Sequence, residues 1–139
     1  MGVIYAELEL INAVDLGAAK RHILGEEEIR RTWANMLVDT GSMYTCINEY
    51  VCELLQLSIS TTRKGVLADG TVVEYGVAGP IEIRFKNRVC VTNAMVLPGT
   101  SEMLLGAITM EDLDVIINPQ RRELIVNPAH PDMAVMLMK

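Results

Sequence analysis

Positive charge is scarce in this chain of 139 residues: 12 Lys and Arg stand against 18 Asp and Glu, a net charge of -6. A surface of that sign repels phosphate backbones and anionic lipid, so neither nucleic acid nor a membrane is expected as a main partner. Aromatic residues are scarce as well, at 4%, while Met supplies 9 residues, so the core has to be built from Val, Ile, Leu and Met. No apolar run approaches the roughly 20 residues that a spanning helix requires. No basic segment followed by an apolar run opens the chain as a secretory leader would. Ala6 stands where a myristoylation signal starting at Met1-Gly2 requires Ser or Thr. The cysteines are only Cys46, Cys52 and Cys90, without Cys-x-x-Cys spacing, which suits buried reduced thiols and a cytoplasmic location better than a disulfide framework. His22 and His130 lie far apart with no second ligand at metal spacing, so no metal and no cofactor is expected. Gly-x-Ser-x-Gly is missing, which leaves Ser101 as a loop residue rather than a nucleophile.

Half of the residues are hydrophobic and 22% are charged, the balance of a chain that folds, here as one domain over residues 1–139 with a Met-rich tail at 127–139. Val3 to Asn12 reads as a half-buried strand. Asp15 is placed to cap a short helix running to about Leu24, stopped by Gly25, with the acidic run Glu26 to Glu28 as a solvated turn. A second strand, Arg31 to Val38, turns fully apolar at Met36-Leu37-Val38 and breaks at Asp39-Thr40-Gly41-Ser42. Ile47, Val51, Leu54 and Leu55 then recur at helical spacing, predicting an amphipathic helix over Tyr44 to Leu57. From Lys64 to Val96 strand alternation returns, with Asp69-Gly70 as a hairpin turn between Val66-Leu67 and Val72-Val73. Leu97 to Thr100 is a loop, Thr109 and Asp112 have the spacing of a capping box, and Asn118-Pro119-Gln120-Arg121 turns a last hairpin between Val115–Ile117 and Glu123–Val126.

Chemistry is concentrated where the second strand delivers a polar tetrapeptide. A carboxylate at such a turn faces a cleft while strands support it from below. Gly41 leaves room for backbone amides to approach Asp39, Thr40 is placed to lock the turn, and Ser42 to donate to the outer carboxylate oxygen. Leu37-Val38-Asp39-Thr40-Gly41-Ser42 resembles the active-site turn of aspartic proteases. Leu104-Leu105-Gly106 resembles the second mark of that family, and Leu67-Ala68-Asp69-Gly70-Thr71-Val72 resembles its flap. The order of elements is similar to retropepsin-like (clan AA) proteases, particularly the small stand-alone bacterial and archaeal members. The resemblance implies a mainly β, closed barrel-like fold with one or two short helices, acting as a homodimer. It also implies Asp39 as the catalytic residue, Thr40, Gly41 and Ser42 as turn support, Ala68, Asp69, Gly70 and Thr71 as the substrate-binding flap, and Leu104, Leu105 and Gly106 as support beneath the site. Ser42 departs from the Ala usual in viral members, and the flap lacks their glycine cluster.

Acid–base logic reaches a dimer separately. Peptide hydrolysis of this kind needs one ionised carboxylate to take a proton from water and one protonated carboxyl to polarise the carbonyl. The chain has a single Asp-Thr-Gly; Asp69 belongs to a hairpin, and Asp112 and Asp114 to a surface-like helical turn. Two copies of Asp39 across a two-fold axis supply the pair and share one proton. The expected function is therefore an aspartic endopeptidase acting on a peptide or protein substrate. Its rival is a catalytically silent module of the same fold that binds peptide or dimerises without cutting.

Overall fold

The computed structural model of the chain describes residues 2–138. Its strands are β1 (Tyr5–Asn12), β2 (Arg31–Val38), β3 (Cys46–Asn48), β4 (Ser58–Val66), β5 (Val72–Phe85), β6 (Arg88–Leu97), β7 (Leu104–Leu105), β8 (Val115–Asn118) and β9 (Glu123–Val126). The helices are α1 (Ala13–Lys20), α2 (Glu49–Leu54) and α3 (Ala107–Leu113), with a 3-10 turn at Glu26–Glu28.

Seven strands form one sheet in the order β1-β2-β7-β3-β6-β5-β4, and β1 also pairs with β5. That extra pairing closes a ring of six strands and leaves β4 outside it as one arm of a hairpin. The ring is the mainly β, barrel-like fold expected from the sequence. Its interior is filled by Leu8, Leu10, Met36, Ile47, Ala78, Ile81, Ile83, Leu105 and Leu113, and the same apolar cluster extends to Val115 and Leu124 of the β8-β9 hairpin. Alternation accounts for this on β1 and β2, where Ala6, Leu8 and Leu10 face Ala34 and Met36 inward while Glu7 and Asn35 face out. Cys46, Cys52 and Cys90 are buried and free.

Four local expectations are corrected. Asp15 does not cap α1: Asn12 does, accepting from the Asp15 amide at 3.1 Å. Asp15 is instead buried against Arg30, whose amide and guanidinium donate to it at 3.0 and 3.3 Å. The helix ends at Lys20 and is stopped by His22 rather than Gly25, because His22 turns left-handed at φ 61 and the amides of His22 and Ile23 return to Ala19 and Ala18. The helix expected over Tyr44 to Leu57 is shorter, since Cys46–Asn48 is a strand that bridges β6 and β7. Closing the ring takes those residues out of the helix, and Asn48 caps α2 by accepting from Val51 N at 2.8 Å. Thr109 is likewise no cap. Gly106 starts α3 in extended conformation, and Thr109 lies within the helix, buried.

A candidate aspartic active site

The end of β2 is built by a neighbour distant in sequence. β7 runs parallel to β2, with Leu104 opposite Leu37 and Leu105 opposite Val38, and the Asp39 amide donates to Leu105 O at 3.1 Å. The chain then turns at Asp39-Thr40-Gly41-Ser42, closed by Ser42 N on Asp39 O at 3.1 Å. The strands thus end together and the carboxylate stands half-buried at their edge. The Gly41 amide donates to Asp39 Oδ1 at 2.9 Å, and a Cβ at Gly41 would lie 3.2 Å from that oxygen. Gly41 therefore lets the backbone fold back onto the carboxylate it supports.

Gly106 answers to space of a different kind. A Cβ there would sit 2.4 Å from Tyr44 C and 2.8 Å from Thr45 N, both backbone atoms. Only glycine lets β7 and α3 pass under the loop that follows Asp39. Behind it, Thr45 and Thr109 meet with hydroxyl oxygens 2.7 Å apart, and Gly106 N donates to Thr45 Oγ1 at 3.1 Å. The first amides of α3 close the junction, Ala107 N on Ser42 O at 2.8 Å and Ile108 N on Met43 O at 3.1 Å. Asp39, Ser42, Leu105 and Gly106 are therefore brought into one bonded unit. Thr45 and Thr109 are its unforeseen members, and a Thr four residues after Gly41 and another three after Gly106 are the only trace of them in the sequence.

Two turn residues behave differently from expectation. The Ser42 hydroxyl donates to Tyr44 O at 2.8 Å, and no hydrogen bond joins it to the Asp39 carboxylate among the described residues. A main-chain acceptor two residues along captures it, as serine hydroxyls commonly do. Thr40 is exposed, and its hydroxyl has no partner among the described residues. Close by, burial pushes the Cys46 thiol above its ordinary range, opposed by the Ser42 hydroxyl and reinforced by Asp39.

Ala68, Asp69, Gly70 and Thr71 form the exposed tip of the β4-β5 hairpin. Gly70 has φ 86, Gly70 N donates to Leu67 O at 2.9 Å, and Leu67 N to Thr71 O at 2.8 Å, a turn that needs glycine's left-handed freedom. The Thr71 hydroxyl and amide hold the Asp69 carboxyl below its ordinary range. No hydrogen bond links this tip to Asp39 among the described residues. The hairpin is tied to the loop after Asp39 lower down, where Arg63 Nη1 donates to Tyr44 Oη at 3.0 Å.

Far from a surface-like turn, Asp114 is the hub of the C-terminal segment. It ends α3 at φ 54 and accepts from Asn127 Nδ2 at 3.0 Å and Val135 N at 3.0 Å, with His130 Nδ1 at 2.7 Å. Amides from Val135 and Asn127, with His130 beside them, hold its carboxyl down at about 2. Arg88, 1% exposed, reaches Asp114 at 3.8 Å and donates from Nη2 to His130 O, while its Nε and Nη1 have no partner among the described residues. His130 is thus a packing residue, and the tail up to Val135 is pinned.

A family model described as aspartyl protease matches residues 28–109, from before β2 into α3. The chain belongs to that family. Its retropepsin-like fold is shared by the retroviral protease-like domain of Ddi1 from Leishmania major, with a TM-score of 0.57 at 12% identity, over 92% of this chain and 90% of that one. EIAV protease complexed with the inhibitor HBY-793 is also similar, at 25% identity and a TM-score of 0.49, over 63% of this chain and 83% of that one. No curated protein matches the sequence. Among the described residues of this aspartyl protease family member, no helix is long and apolar enough to cross a membrane, and no three His, Cys, Asp or Glu side chains gather where they could hold a metal ion.

Proposed function

We propose that the chain is an aspartic endopeptidase that cleaves peptide bonds with a water activated between Asp39 of two identical subunits. The observation that carries this reading is the Asp39 turn itself: a half-buried carboxylate at the ends of paired strands, supported by the Gly41 amide at 2.9 Å. No Lys, Arg or His nitrogen lies within 4.0 Å of that carboxylate among the described residues, so it is not a structural ion pair. One carboxylate does half of the chemistry. Juxtaposed copies cannot both ionise, and the resulting pair holds one proton. The ionised member removes a proton from water as the oxygen attacks the peptide carbon, and the protonated member donates to the carbonyl oxygen. Collapse of the tetrahedral species breaks the C–N bond and a proton passes to the leaving amine.

Thr40, Gly41 and Ser42 hold the turn in this reading, Leu104, Leu105 and Gly106 support it, and Ala68 to Thr71 close over the peptide to exclude water. Residues 1–139 act as one domain, with 127–139 as its tail. The buried free thiols fit work in the cytoplasm, and the charge of -6 fits a protein substrate rather than nucleic acid or membrane. Asp39→Asn tests the proposal. The variant should sediment as the same dimer with an unchanged melting temperature and cut no peptide, because the amide keeps the shape and removes both base and shared proton. Cleavage by the purified variant, or an active monomer, refutes the mechanism. A wild-type dimer that binds peptide without cutting it replaces the enzyme with the silent module.

A further inference from the structure

Tyr44 stands on the loop that the Asp39 turn anchors, its carbonyl accepting from Ser42 Oγ at 2.8 Å. Over its ring, 5.2 Å from the centroid, lies the guanidinium of Arg63, which also donates to the Tyr44 hydroxyl at 3.0 Å. Arg63 belongs to β4, opposite Tyr75 in the hairpin whose tip is Asp69-Gly70. The contact therefore spans from the hairpin to the active-site loop. Between them is a cavity of about 160 Å³ lined by Tyr44, Arg63, Val77, Thr92, Asn93 and Met95, room for one side chain rather than a whole ligand.

Arg30, Arg31, Arg84, Arg88 and Arg121 each have a carboxylate within 4.0 Å. Arg63, like Arg21 and Arg122, has none among the described residues, although the chain carries a net charge of -6; of these three, Arg63 is the one beside the loop that follows Asp39. Contact with the ring and hydroxyl of Tyr44 positions the guanidinium while one of its donors is engaged, leaving the others free to meet a carboxylate. A hairpin closing over bound peptide would remove water from that fork and strengthen its attraction for an anion. We propose that Arg63, held by Tyr44, selects substrates with a glutamate or aspartate side chain near the scissile bond. This rests on the endopeptidase reading and names its substrate class.

The test is a set of internally quenched peptides in which each position near the scissile bond carries Glu, Gln or Lys in turn, assayed with the full chain. At one position Glu should exceed Gln in kcat/KM by roughly fivefold, the order expected of one partly exposed ion pair. Arg63→Gln should bring the ratio to about one, and Arg63→Glu should turn the preference toward Lys. Added salt should shrink the wild-type ratio. Equal rates for Glu and Gln at every position, or a Glu preference that survives Arg63→Gln, overturns the proposal. If wild type cuts none of the peptides, the endopeptidase reading fails on its own. Fluorescence anisotropy of the Asp39→Asn protein with the same peptides then decides Arg63 separately: tighter binding of the Glu peptide, abolished by Arg63→Gln, upholds the role, and equal binding rejects it.

Discussion

Removal of the Thr45–Thr109 contact perturbs the junction beneath Asp39 without touching the carboxylate. Both threonines are buried, at 2% and 3% exposure, so water cannot replace what a substitution removes. Thr109→Val keeps the shape and deletes one hydroxyl, leaving Thr45 with Gly106 N as its remaining partner. Thr45→Val strands two groups, the Thr109 hydroxyl and the Gly106 amide, which donates to Thr45 Oγ1 at 3.1 Å. A buried polar group left without a partner costs about 1–3 kcal/mol. The first variant should therefore lose about 1–2 kcal/mol and the second about 2–4 kcal/mol, equivalent to roughly 3–5 °C of melting temperature per kcal/mol at this chain length.

The double variant discriminates further. With both hydroxyls gone only the Gly106 amide is stranded, so Thr45→Val/Thr109→Val should cost no more than Thr45→Val alone. Urea unfolding of the four proteins, followed by circular dichroism, completes the cycle. Additivity to within about 0.5 kcal/mol, or a Thr45→Val variant as stable as wild type, refutes the claim that these residues act as one buried unit.

Gly106→Ala should destabilise more than Thr109→Val, since its Cβ meets backbone at 2.4 Å; a melting temperature equal to wild type would contradict the close approach. The Asp114 carboxyl titrates at about 2 in the folded chain against an ordinary 3.8, so the stability it lends is present above about pH 4 and lost as pH falls toward 2. Hydrogen exchange should accordingly show residues 127–135 losing protection across that interval, and Asp114→Asn should abolish the pH dependence. Burial pushes the Cys90 thiol up to about 12 and raises those of Cys46 and Cys52, so a thiol reagent at neutral pH should label the native protein slowly and all three cysteines after denaturation. Because the Ser42 hydroxyl donates to Tyr44 O, Ser42→Ala should leave the pH profile of kcat/KM in place, and a shift toward neutral pH would restore a bond from Ser42 to Asp39.

The parts of this fold that could be read from sequence are those whose cause is local. Period-two alternation marks β1 and β2 because a strand pairs inside and outside residues one by one, and Asp69-Gly70 marks its turn because the backbone there needs φ 86. The Asp39 turn is legible for the same reason: a carboxylate, a glycine and a strand end are all within a few residues. Local signals misled where a distant partner decided the conformation. Ile47 has the helical spacing of an α2 residue but lies in β3, because β6 and β7 hold Cys46–Asn48 extended from opposite sides. Thr109 has the spacing of a cap but faces Thr45, a residue 64 positions away.

The same distinction orders the candidate site. Gly106 looked like one mark in a motif, yet its requirement is set by the backbone of Tyr44 and Thr45 crossing above it. Asp114 looked like a surface carboxylate, yet it gathers an asparagine, a histidine and an amide from the chain's last segment around its two oxygens, over an arginine that the fold has buried. Neither demand leaves a periodicity in the sequence, since each is a single residue answering to a single distant neighbour. Arg63 and Tyr44 belong to this class. Nothing in a β-forming stretch marks one arginine among its neighbours until the hairpin folds back and sets it on an aromatic ring beside the loop that carries Asp39. In this chain the candidate carboxylate is therefore written in a contiguous motif, while what it rests on is written in pairs that only the closed barrel brings together.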